Sequence, residues 1–179
     1  GIEVLSGGGD IVIRGQSNLH GVEFWQGATV KATTGAIILE GTSTSAGSQG
    51  VRIAGASGTT LLSSGKTSGT AISITGTNTN AGTDTSTSTS QGVYIADDDS
   101  VIQATGGGDI YISSESGAVR DIRSFILKDS DVSAAGGDII FLGDSTDFVR
   151  TSISGTAGSR IQIKSTSHIV PDSSTIQTV

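Results

Sequence analysis

The stretch SVIQATGGGDIYISS, Ser100 to Ser114, holds two short alternating runs, Ile102-x-Ala104 and Ile110-x-Ile112, on either side of a glycine corner. The same pairing returns along the whole chain, and a self-similar period restricts the architecture more than any other sequence feature. It is written as Val4-Leu5-Ser6 then Asp10-Ile11-Val12-Ile13, as Val30-Lys31-Ala32 then Ala36-Ile37-Ile38-Leu39, and as Leu61-Leu62-Ser63 then Ala71-Ile72-Ser73-Ile74. It continues as Val132-Ser133-Ala134 then Asp138-Ile139-Ile140-Phe141 and as Ile153-Ser154-Gly155 then Arg160-Ile161-Gln162-Ile163, and it opens once more at Ile176. A third run closes each unit: Val22-Glu23-Phe24, Val51-Arg52-Ile53, Val93-Tyr94-Ile95, Phe125-Ile126-Leu127, and less regularly Phe148-Val149 and His168-Ile169-Val170.

Successive side chains of an extended segment face opposite ways, so the recurring apolar pair marks the inside of each run. The spacing predicts one inner column of Val4, Val30, Leu61, Ile102, Val132, Ile153 and Ile176, beside a narrow column of Ser6, Ala32, Ser63, Ala104, Ala134 and Gly155. The second runs predict two more: Ile11, Ile37, Ile72, Ile110, Ile139, Ile161, and Ile13, Leu39, Ile74, Ile112, Phe141, Ile163. Unit length ranges from about 21 to about 41 residues, within the range of solenoid repeats. The extra residues fall in Gly-, Ser-, Thr- and Asn-rich stretches such as Thr42 to Gln49, Ser64 to Ser68 and Thr77 to Ser90. Loops lengthen cheaply, whereas a strand that slips by one residue turns its apolar side outward.

One such turn cannot bury its own apolar side, but turns stacked about 4.8 Å apart pair every strand and gather the Ile and Val columns into one interior. The predicted fold is therefore all-β: a right-handed parallel β-helix of about six three-stranded turns, a rod on the order of 30 Å tall. Composition agrees, with 27 glycines, one proline and 34% apolar residues that recur in alternation, unlike those of a disordered chain. A net charge of −7, with ten scattered basic residues, argues against a nucleic-acid partner. No apolar run is long enough to span a bilayer as a helix, so this segment is not expected to insert into a membrane. The absence of cysteine removes disulfide and thiolate chemistry.

The segments GGGDIVI, GAIIL, GGGDIYI and GGDIIF, with their Val-x-Ala partners and Gly-Val third runs, resemble the repeat region of filamentous haemagglutinin-like exoproteins and related β-helical bacterial adhesins. That resemblance covers nearly the whole chain. It implies a secreted or cell-surface rod, with residues 1–179 forming a single β-helical segment of a longer extracellular protein. Such a rod displays loops for attachment to a host-cell glycan or surface receptor, or serves as a structural component. Open strand edges at the ends of a rod add a second expected partner, further copies of the chain stacked end to end into a filament.

Candidate sites are few. Asp10, Asp109 and Asp138 share the place before the second run. They read as turn aspartates that accept backbone amides, in preference to a calcium column that Ala36, Ala71 and Arg160 would interrupt. Stacking would set Arg160 beside Asp138 as a surface ion pair. Asp97, Asp98 and Asp99 are the densest acidic cluster and the weak candidates for a metal, with calcium the cation such oxygens would take; a solvated corner is the competing reading. The polar stretch from Thr77, with Asn78, Asn80 and Asp84, reads as a loop displayed for binding. Trp25, beside Phe24 and near His20 and Glu23, faces outward if Val22 and Phe24 face inward, and offers a platform for a sugar ring or a partner; the competing and favoured reading is that it packs under a neighbouring loop or against an adjoining part of a longer protein. The competing class is a carbohydrate-active β-helix enzyme, a polysaccharide lyase or hydrolase, which needs carboxylates converging on one groove. The acids here are spread over several corners, and His20 and His168 lie at opposite ends of the predicted rod. No catalytic residue and no cofactor is assigned, and the chain is read as non-enzymatic.

Overall fold

The computed structural model describes residues 2–25, 27–54, 61–80, 90–116 and 125–178; for 97–99, 116, 125–129, 144–147 and 166–172 it describes the backbone alone. Among the described residues every regular element is a strand. The first repeat supplies β1 (Glu3–Ser6), β2 (Ile11–Ser17) and β3 (Val22–Phe24), and the second β4 (Thr29–Ala32), β5 (Ile37–Ser43) and β6 (Val51–Ile53). Next come β7 (Leu61–Ser64), β8 (Thr70–Asn78), β9 (Val93–Ala104), β10 (Asp109–Ser116) and β11 (Phe125–Ala134). The last are β12 (Ile139–Val149), β13 (Ser152–Gly155), β14 (Ile161–Asp172) and β15 (Thr175–Thr178).

All described pairings are parallel and join one repeat to the next. They form three ladders. The first contains β1, β4, β7, the end of β9, the end of β11, β13 and β15. The second contains β2, β5, β8, β10, the start of β12 and the start of β14. The third contains β3, β6, the start of β9, the start of β11 and the ends of β12 and β14. Val30, Ile37 and Val51, one from each ladder, belong to a single apolar cluster, so the three ladders share one interior. Phe141 of the second ladder meets Phe148 of the third edge to face, with ring centroids 5.2 Å apart.

Both predicted columns of the second ladder are present without a slip, from Ile11↔Ile37 through Ile139↔Ile161 and from Ile13↔Leu39 through Phe141↔Ile163. The first ladder needs one correction. Val30 pairs with Leu62, and Leu62 with Ile102, so Leu62 and Ser64 take the inward places predicted for Leu61 and Ser63. Two adjacent leucines followed by two serines satisfy either phase of the alternation. The phase found buries Leu62 completely and brings the buried Ser64 hydroxyl to donate to the Gly35 carbonyl at 2.8 Å. At the far end Ile176 keeps its place in the column and is 39% exposed.

A second difference concerns corners. Third and first runs of adjacent repeats are continuous in β9 and β11, and second and third runs are continuous in β12 and β14. Asp97, Asp98 and Asp99 lie within β9 where it passes from the third ladder to the first, at a shift in its register with β11. The glycine corner between first and second runs persists, and in the fifth repeat glycine alone fits it. Gly136 has φ 100°, and a β-carbon on Gly137 would collide with the Gly108 carbonyl of the preceding repeat.

The corner aspartates act as turn acceptors, and they reach between repeats rather than within one. The Ala36 amide donates to Asp10 Oδ1 at 2.7 Å, the Asp138 amide to Asp109 Oδ1 at 2.8 Å, and the Arg160 amide to Asp138 Oδ1 at 3.0 Å. Arg160 also meets Asp138 through its side chain, with Nη2 at 2.6 Å and Nε at 3.0 Å from Oδ2. That is the ion pair expected from stacking.

Candidate functional site: an outward tryptophan–arginine patch

The third ladder positions the patch. Val22 and Phe24 of β3, and Val51 and Ile53 of β6, are buried; Glu23 and Arg52 between them then lie on the outer side. Register places Glu23 beside Arg52 and Arg52 beside Tyr94 on three successive repeats. Trp25 follows on the outer side of β3 and is 47% exposed.

Arg52 is held from two sides. Its Nη1 pairs with Glu23 Oε1, and its guanidinium carbon lies 4.7 Å from the Trp25 ring centroid. A guanidinium at this distance is attracted to the negative face of the indole, so it fixes one face of the ring. Ala54, which follows Ile53 as Trp25 follows Phe24, is small and buried. The patch thus combines an aromatic surface, a cation neutralised by a carboxylate, and a phenol at the next registered position.

His20 supports this arrangement from the corner before β3. Its Nδ1 accepts the Gln49 amide at 3.2 Å, and its Nε2 lies 3.9 Å from the same Glu23 oxygen that Arg52 engages. An Nδ1 that accepts a hydrogen bond belongs to a neutral imidazole carrying its proton on Nε2. Burial pushes the His20 pKa below the ordinary histidine value; Glu23 acts in the opposite sense and Arg52 in the same one.

The other candidates are dispersed. Thr77 is part-exposed on β8, in register with Thr42 and Glu115. Asn78 faces inward and is fully buried. Its Nδ2 donates to the Ser48 and Ser45 carbonyls at 2.6 and 3.2 Å, and its Oδ1 accepts the Asn80 amide at 2.9 Å. Its amide is consumed in holding a corner, which corrects its assignment as a displayed binding residue. Asn80 is part-exposed and tied to Asn78 through its backbone. Asp84 lies outside the described residues, as do the side chains of Asp97, Asp98 and Asp99. Among the described residues no three His, Asp or Glu side chains gather closely enough to hold a metal ion. A shallow hollow over Ala104, Ala134 and Gly155, bordered by Gln103, Ser133 and Ser154, is lined by no charged side chain.

Sequence reasoning picked out Trp25 and missed Arg52. The available signal was the shared third-run position of Glu23, Arg52 and Tyr94, which alignment of the Gly-Val openings would have put side by side. No family model matches the chain, no curated protein matches it and no solved structure matches it.

Proposed function

We propose that the chain is a segment of a right-handed parallel β-helix that serves as a non-enzymatic extracellular rod of the haemagglutinin-like adhesin kind. The patch around Trp25 is its contact surface for a glycan. The observation that carries this reading is the parallel register that the two apolar columns of the second ladder keep through six repeats, Ile11 to Ile161 and Ile13 to Ile163. Right-handedness follows from the general preference of parallel crossovers. A backbone locked in this way supplies a rigid rod whose outward residues recur at a fixed spacing, which suits display rather than chemistry.

A neutral sugar ring suits the patch because its C–H face stacks on an indole while its hydroxyls meet Arg52 and Glu23. The ion pair between those two leaves little net charge to attract an ionic ligand. The test is binding of the chain to a panel of neutral glycans, with Trp25→Ala beside the wild type. Binding that falls about tenfold or more in the variant, a loss of about 1.4 kcal/mol, with an unchanged melting temperature, is the expected result. Absence of binding, or binding indifferent to Trp25, removes the adhesive reading.

A further inference from the structure

His20, Glu23, Arg52 and Trp25 form a continuous relay from a backbone amide to an exposed ring. The Gln49 amide donates to His20 Nδ1 at 3.2 Å, His20 Nε2 lies 3.9 Å from Glu23 Oε1, that oxygen holds Arg52, and Arg52 covers one face of Trp25. We propose that His20 is a proton-sensitive positioning residue that sets Arg52 on or off Trp25, and so regulates the ligand surface. This rests on the reading of the Trp25 patch as that surface.

The switch begins at Nδ1. A protonated imidazole has donors on both nitrogens and no acceptor, so it cannot keep the bond from Gln49, a residue only 6% exposed. The ring must leave that amide, and its new charge is drawn to the nearest carboxylate, Glu23. Glu23 already engages Arg52 through the oxygen that His20 approaches. Two cations then compete for one carboxylate, and Arg52 is loosened from Glu23 and from the indole together. Among the described groups, those charged or titratable beside His20 are Glu23 and Arg52.

The sign of the pH dependence follows from burial. Burial holds the folded-state pKa of His20 below its ordinary value, so the neutral arrangement is complete above about pH 6.5 and is lost as pH falls through the depressed folded value. The surface is therefore ordered near neutrality and disordered in mildly acidic surroundings.

Trp25 is the single tryptophan of the chain, so its fluorescence reports on the switch without any ligand. The experiment is a titration of emission and iodide quenching from about pH 7.5 to about pH 5, across the histidine range, on the wild type and on His20→Asn. Asparagine keeps an oxygen for the Gln49 amide and does not titrate. The expected result is a one-proton transition with a midpoint below about 6.5 in the wild type, and none in His20→Asn. A flat wild-type titration, or the same transition in the variant, overturns the proposal. A complementary reading uses the imidazole nitrogen chemical shifts: the Nε2–H tautomer at neutral pH is expected, and an Nδ1–H tautomer overturns the proposal even if the variant fails to fold. Neither measurement involves a glycan. Loss of the adhesive reading with the transition intact leaves the switch standing, and the converse outcome leaves the patch as an unregulated surface.

Discussion

At the corner before the second run, Asp10, Asp109 and Asp138 each reach across to a backbone amide of the neighbouring repeat. At the corner after it, Asn78 reaches the Ser45 and Ser48 carbonyls of the preceding repeat. Both devices tie successive repeats by a side-chain bond to backbone, yet their surroundings differ. The aspartates are exposed or part-exposed, so water can replace a lost bond. Asn78 is fully buried, and so is its bond to the Ser48 carbonyl, which water does not readily replace. Solvent access, more than the number of bonds, decides which corner the fold depends on.

Substituting each corner in turn tests that contrast. Asn78→Ala carries the largest expected effect, about 1–3 kcal/mol, because it removes the partner of the buried Ser48 carbonyl; chemical denaturation measures it. Asp109→Ala removes a single acceptor at a wetter place, and about 0.5–1.5 kcal/mol is expected by the same measurement. Equal losses at the two positions would break the comparison. Arg160→Ala is expected to have the smallest effect, since an exposed guanidinium pairs with little net gain at physiological salt. Its signature lies in acid. The hydrogen bond from Arg160 holds Asp138 below the ordinary carboxylate pKa. That contribution is present above the ordinary value and lost as pH falls through the depressed one. The variant should therefore show a shallower acid decline in thermal stability, and an unchanged decline would separate the ion pair from the corner altogether.

The same contrast shows where legibility in the sequence ends. The second ladder was readable because Ile72-Ser73-Ile74 and Ile161-Gln162-Ile163 alternate with polar residues and allow one phase only, which then sets the phase of the more apolar runs aligned with them. Leu61-Leu62-Ser63-Ser64 allows two, and the inward phase depends on what the neighbouring strands offer: Val30 on one side, Ile102 on the other, and the Gly35 carbonyl for the Ser64 hydroxyl. Asn78 looked like part of a polar loop because its side chain is polar and its neighbours are Thr and Asn. It is buried because β8 extends to it and turns it inward between Ser43 and Ser116. The exposure of Trp25 followed from counting outward from Val22 and Phe24. Its arginine could not be found that way, since Arg52 belongs to another repeat and only the register of β3 on β6 makes them neighbours.

Local sequence determined the strands, their inward faces and the glycine corners, because alternation and backbone permissiveness act over a few residues. The tertiary structure decided the phase of the ambiguous first run, the continuity of β9, β11, β12 and β14 through former corners, and the assembly of His20, Glu23, Arg52 and Trp25. Those depend on which residues of different repeats lie side by side. Lateral pairing is a property of the stack, and no single repeat contains it.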